Sequence, residues 1–326
     1  MTHVATLVCN PTFPSLTERL LQLAIDALPK PGPSQWLDKG VAADIPFAPD
    51  EPVDARAIAD AVRAVIGAAE IDVIVQPAQG RRKKLFLADM DSTMIGQECI
   101  DELAAQTGKK QFVVEITQRA MRGEIEFEPA LRERVALLKG LHPDTILRVI
   151  AKKITLTPGG RTLVQTMRRD GAYTALISGG FTNFTSVIAE KIGFHENQAN
   201  ALLLGEDGRL LGLVAEPILG KEGKRAALLR LREDHGLPAE ATLAVGDGAN
   251  DLAMLEAAGL GVAYRAQPMV AAAAHARIVH ADLTALLYAQ GYKREEFFAE
   301  PRPQLDPADW KRKYGAMEKA HERTRL

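Results

Sequence analysis

The stretch LFLADMDST, residues 85–93, sets four consecutive apolar residues directly before two aspartates spaced by one residue. A short apolar run closed by turn-forming residues reads as a strand buried on both faces, as in a parallel sheet. Ligands of open α/β sheets bind beyond the carboxyl ends of the strands, so Asp89 and Asp91 fall where chemistry is done. Two carboxylates in such a loop can divide the work. One attacks phosphorus as a nucleophile, and the other donates a proton to the leaving alkoxide and later takes one from water. The same residues would also suit a pair of turn or capping aspartates, so their meaning depends on what surrounds them.

Downstream, Tyr173–Ile177, Thr242–Val245 and Gly261–Tyr264 repeat the apolar-run pattern. Helical stripes such as Phe184, Val187, Ile188 and Ile192, then Ala227, Leu228 and Leu231, lie between them. Strands alternating with helices predict a doubly wound parallel α/β sheet over about 85–294. Leu202–Leu204 and Leu210-Leu211 flank Asp207-Gly208 and predict a hairpin. Two of these strands end in further polar motifs. Ser178-Gly179-Gly180 offers a hydroxyl and glycine-permitted backbone N–H groups that can hold phosphoryl oxygens, although taken alone the motif better suits a simple strand-to-helix turn. In Gly246-Asp247-Gly248-Ala249-Asn250-Asp251, Asp247 and Asp251 can supply hard oxygen ligands for Mg²⁺ or partners behind such ligands, although an acidic N-cap with turn glycines would read the same way. Between the two motifs, Lys221 and Lys224 lead into a helix, where either lysine could neutralise an aspartate and a phosphoryl oxygen.

Residues 100–155 lack a clear strand. Ile100 and Leu103, then Phe112, Val113, Ile116 and Ala120, then Leu131, Val135 and Leu138 predict successive amphipathic helices, a helical cap inserted in the core. Arg134 falls on the apolar face of Leu131 and Leu138, where an arginine often faces a pocket, although one snorkelling at the edge of the stripe would fit as well. Residues 1–80 read β-α-β-β-α-β, which resembles the ACT-like domain by pattern. The expected partition is 1–80 for that domain, 85–99 and 156–294 for the core, 100–155 for the cap, and 295–326 for a polar tail. One helix is expected around Trp310 to Lys319.

With 40 basic and 42 acidic side chains the formal charge is -2, which gives no global excess to favour nucleic acid. The run Arg81-Arg82-Lys83-Lys84 is expected to be a solvated linker. Two cysteines cannot build a disulfide framework and suit a reducing compartment. Neither a signal peptide nor a bilayer-spanning stretch is apparent, so a cytoplasmic location away from membranes is expected.

Aspartate pair, serine-glycine, lysine and GDG-type acid cluster, in that order and largely at strand ends, resemble the haloacid dehalogenase superfamily. The resemblance tightens to its L-phosphoserine phosphatase family through DMDSTMIGQECIDELA, ITQRAMRGEIEFEPALRERVALLKGL, ISGGFT and VGDGANDLAML. It implies that Asp89 becomes an aspartyl phosphate and that Asp91 is the general acid, then the base. It implies Mg²⁺ held by Asp89, the backbone carbonyl of Asp91, and Asp247, with Asp251 behind them. Ser178, Gly179, Gly180, Lys224 and Asn250 would hold the phosphoryl group; Lys224 is preferred over Lys221 by alignment. Glu98 and Arg134 would meet the ammonium and carboxylate of L-phosphoserine, and Met121 and Phe127 would line the pocket. The implied reaction is hydrolysis to L-serine and phosphate, the last step of the phosphorylated route to serine. A homodimer through residues 1–80 is a further expectation. The turn Cys9–Pro14 lacks the glycine typical of ligand-binding ACT-like domains, which argues against an amino-acid effector there. Two competing expectations are aspartyl-phosphate chemistry on another substrate or acceptor, and a non-enzymatic amino-acid sensor.

Overall fold

The computed structural model describes residues 1–50, 52–122 and 124–299 and, of Met121, the backbone alone. The helix expected around Trp310 lies outside the described residues, as does most of the polar tail.

The amino-terminal unit comprises β1 (His3–Cys9), α1 (Glu18–Ala27), β2 (Gln35–Asp38), β3 (Ala42–Phe47), α2 (Ala55–Ile66) and β4 (Ile71–Pro77). Its sheet runs β2-β3-β1-β4 with antiparallel neighbours, the split βαβ arrangement. Both helices start where the sequence supplies caps. Thr17 accepts from the Leu20 amide, and Asp54 accepts from the Arg56 and Ala57 amides.

The second unit holds a six-stranded, all-parallel sheet. Its strands are β5 (Leu85–Ala88), β6 (Tyr173–Phe181), β7 (Glu196–Asn200), β10 (Thr242–Gly246), β11 (Leu260–Tyr264) and β12 (Ala276–Ile278). The order is β12-β11-β10-β5-β6-β7, so the chain leaves β5 in one direction and returns past it in the other. That reversal puts the switch point, and the crevice it opens, at the carboxyl ends of β5 and β10. Between β5 and β6 stand the cap helices α3 (Cys99–Ala105), α4 (Lys110–Met121), α5 (Phe127–Ala136) and α6 (Asp144–Lys153). The hairpin β8 (Leu202–Leu204) and β9 (Leu210–Val214) is tied to that cap. The Gly140 amide donates to Leu210 O at 2.8 Å, and the Leu210 amide donates to Leu141 O at 2.9 Å. Helices α7 (Gly160–Arg169), α8 (Thr182–Ile192), α9 (Lys221–Asp234), α10 (Leu252–Ala257), α11 (Pro268–Ala273) and α12 (Ala285–Ala289) complete the core.

Two local expectations need correction. On α4 the buried face is Val113 and Thr117, four residues apart, whereas Phe112 points to solvent at 69% exposure. The run Arg81–Lys84 is no solvated linker. Arg81 forms a bidentate pair with Asp44, Arg82 stacks over Tyr292 and bonds Glu296, and Lys83 is buried with its ammonium on the Glu240 carbonyl. Arg81 reaches across to the amino-terminal unit, while Arg82, Lys83 and Lys84 find their partners on the second unit.

Candidate active site

Asp89 leaves β5 with its amide bonded to Val245 O on β10 at 3.0 Å, which fixes its place at the switch point. The chain then makes one wide turn over Met90–Met94, closed by the Ile95 amide on Met90 O at 3.0 Å. Within it Ser92 sits in the left-handed region at φ 55°, an unusual choice for a residue with a side chain. The turn aims two hydroxyls at acids: Ser92 donates to Glu98 Oε1 at 2.6 Å, and Thr93 donates to Asp247 Oδ1 at 3.1 Å. Neither hydroxyl was assigned a role by sequence reasoning.

Beneath the turn lies Lys224, fully buried on α9. Its ammonium bonds Asp89 Oδ1 at 2.5 Å and Asp251 Oδ1 at 2.6 Å. The other oxygen of Asp251 accepts from the amides of Asp247 and Gly248, each at 3.1 Å. Asp251 thus clamps the loop after β10 to the lysine. Lys221 does not line the pocket of the aspartate pair but a neighbouring cleft that shares Phe127 and Asn250 with it.

One cavity of about 60 Å³ is lined by Asp89, Asp91, Glu98, Phe127, Arg134, Ser178, Gly179, Gly180, Asp247 and Asn250. The structure therefore brings together the expected residues from the core and the cap. Lys224 and Asp251 support it from below, while the side chain of Met121 lies outside the described residues. The floor depends on glycines: a Cβ on Gly180 would stand 2.8 Å from Asp91 Oδ2, and one on Gly179 would stand 2.8 Å from Phe127 Cζ. The Gly180 amide donates to Ser178 Oγ at 2.9 Å, which turns the hydroxyl into the pocket's edge.

The electrostatics are those of crowded, buried acids. Burial, then the charge of Asp251, outweighs Lys224 and raises Asp89 to about 7. Burial, then Glu98, holds Asp91 protonated well above its ordinary range, and burial, then Asp89, does the same to Asp247. Burial also raises Glu98. Oxygens of Asp89, Asp247 and Asp251 come within 4.8 Å of one another. Three carboxylates that share one lysine are hard oxygen donors, and a hard divalent cation would draw them into the charged form and so fits the site. The free oxygens belong to Asp89 and Asp247, because both oxygens of Asp251 already serve Lys224 and two amides.

A parallel sheet with an aspartate pair at its switch point, a buried lysine and an acidic loop defines a class. The chain belongs to the haloacid dehalogenase-like hydrolase family, whose model matches residues 86–256. Within that family its similarity is to phosphoserine phosphatases. The one from Streptomyces coelicolor is 44% identical over 227 residues, 70% of this chain and 55% of that protein. The one from Saccharomyces cerevisiae is 40% identical over 231 residues, 70% of this chain and 75% of that protein. A solved phospho-aspartyl intermediate analogue of a phosphoserine phosphatase superposes with a TM-score of 0.61 at 38% identity, covering 64% of this chain and 98% of that one.

Proposed function

We propose that this chain hydrolyses L-phosphoserine to L-serine and phosphate through an aspartyl phosphate on Asp89. One observation carries the reading: the aspartate pair shares a single small cavity with Glu98 and Arg134. A phosphorylated amino acid brings an ammonium and a carboxylate beside its phosphate, and an acid and an arginine are their matching partners. The names of the relatives point the same way.

Asp89 attacks phosphorus as its oxygen displaces the serine alkoxide, and Lys224 holds the attacking carboxylate in place. Asp91, kept protonated by burial and by Glu98, gives its proton to the leaving oxygen. As a carboxylate it then takes a proton from the water that cleaves the aspartyl phosphate. Ser178 and the amide of Gly179 receive the phosphoryl oxygens, and Gly180, whose amide holds Ser178 Oγ, keeps the space beside Asp91 open. Mg²⁺ would be held by Asp89, the Asp91 carbonyl and Asp247 with Asp251 behind, and would supply positive charge against the repulsion between carboxylate and phosphate.

Phosphate release from L-phosphoserine with Mg²⁺, and its loss by at least about a thousandfold in Asp89→Asn, tests the reading. Equal turnover of phosphomonoesters lacking the amino-acid group would favour a broader phosphatase. Activity untouched by the substitution would exclude the nucleophile.

No helix among the described residues is long and apolar enough to cross a membrane. We place the protein in the cytoplasm, because Cys9 and Cys99 are both free and buried. A homodimer through residues 1–80 is supported by β2, an edge strand whose outer side has no strand partner among the described residues. A monomeric mass in light scattering would refute it.

A further inference from the structure

Arg134 reaches the cavity from α5, but what fixes its guanidinium lies partly on two other cap helices. Nε donates to the Ala130 carbonyl one turn back at 3.1 Å, and Nη1 donates to Thr117 Oγ1 on α4 at 3.0 Å. Thr117 passes its own hydroxyl hydrogen to Asp101 Oδ1 on α3 at 3.0 Å. The three residues are 5%, 1% and 8% exposed, so water does not compete freely for these bonds. A hydroxyl has one hydrogen. With that hydrogen committed to Asp101, the lone pairs of Thr117 face the guanidinium, and the chain runs in one direction from Arg134 to Thr117 to Asp101. Among the described residues, Nη2 of Arg134 makes no hydrogen bond, which leaves that arm of the fork for a ligand.

We propose that Thr117 and Asp101 are positioning residues that preset Arg134 for the carboxylate of the substrate, and so select phosphomonoesters that carry one. The proposal rests on the reading of Arg134 as the partner of that carboxylate. An arginine side chain is rich in rotamers, and ordering it during binding weakens affinity. Three helices that hold it beforehand remove that cost from the binding step.

The test compares O-phosphoserine with O-phosphoethanolamine, the same molecule with hydrogen in place of the carboxylate. The variants are Thr117→Val, which keeps the shape and loses the hydroxyl, Thr117→Ser, which keeps the hydroxyl, and Asp101→Asn. KM and kcat are measured for both substrates. In Thr117→Val the preference for phosphoserine, as a ratio of kcat/KM values, should fall about tenfold or more, the scale of a hydrogen bond to a charged group. The loss should appear in KM, and Thr117→Ser should restore it. Asp101→Asn should shift the ratio in the same direction. A preference unchanged in Thr117→Val overturns the proposal, however far each activity falls, because a merely structural role would lower both substrates together. Arg134→Gln separates the two levels. If it leaves the preference intact, the assignment of Arg134 fails and the proposal with it. If it abolishes a preference that Thr117→Val retains, only the positioning chain fails.

Discussion

At the scale of the residue, the site is a contest between buried charges. Lys224 is fully buried and touches two carboxylates, and it stays protonated because Asp251 and Asp89 outweigh its desolvation. Removing one member of a buried ion pair leaves its partner uncompensated, at a cost of about 3–5 kcal/mol. Lys224→Met should therefore lower the unfolding free energy by about that amount and abolish turnover, as chemical denaturation and an activity assay would record. The carboxylates give stability an unusual pH dependence. Asp89 titrates at about 7 in the folded chain but near 3.9 once unfolded, so between these values the folded state binds more protons. Its contribution to stability is thus greatest at low pH and is lost as pH rises through about 7. Asp91 and Asp247 shift in the same direction. With metal removed by chelation, the melting temperature should fall by several degrees between pH 5 and pH 8, less steeply in Asp89→Asn. Added Mg²⁺ should raise it more at pH 8 than at pH 5, because the cation binds the deprotonated acids. A flat profile in the metal-free protein would contradict the burial of these acids.

At the scale of the element, strand ends set the geometry. β10 finishes on Gly246, where a Cβ would come within 2.4 Å of Asp251 Cγ. Gly246→Ala must push Asp251 off the amides of Asp247 and Gly248, and with it the grip on Lys224. Overpacking of this kind costs about 1–3 kcal/mol, and a misplacement near an ångström can cost about a hundredfold in rate. The expected variant is folded by circular dichroism and at least about a hundredfold slower. Elements with one-sided chemistry were legible in the sequence: β5, β6, β10 and β11 are apolar runs, and each acid or serine motif follows one of them. β7 and β12 were not. β7 reads Glu196–Asn200 with only Asn200 buried, an edge strand whose polarity hides it, and β12 has three residues. The buried face of α4 was also misread, because a threonine that bonds an acid and an arginine interrupts the apolar stripe. Partners distant in sequence decide such cases, and periodicity carries no trace of them.

At the scale of the whole molecule, the face that the amino-terminal sheet turns to the core sets four polar residues among apolar ones such as Val4, Val8 and Ile74. Side chains alternate along a strand, so Thr6, Asp44, Asp72 and Gln76, paired across β1, β3 and β4, share one side. All four are buried. Asp72 accepts from the amides of 279, 280 and 281 at 2.8, 3.0 and 2.9 Å, and Gln76 donates to Ala289 O at 2.7 Å. Arg81 is the bracket. Its two terminal nitrogens meet both oxygens of Asp44 at 2.7 and 3.0 Å, and it also donates to Thr6 and to the carbonyls of Tyr288 and Ala289. Each unit has its own sheet, so the seam decides whether they melt together. Arg81→Ala would leave Asp44 buried with only the Thr6 hydroxyl, a loss of about 3 kcal/mol for a broken buried pair. In calorimetry the single transition expected of the intact protein should split, with the earlier endotherm belonging to the amino-terminal unit. Arg81→Lys should not repair it, since an ammonium cannot make the bidentate pair and reach two carbonyls as well. Turnover at temperatures below the first endotherm should stay within about twofold of the parent, because the bracket lies outside the cavity. A single transition in Arg81→Ala, shifted down as a whole, would mean instead that the apolar contacts of the seam suffice to couple the two units.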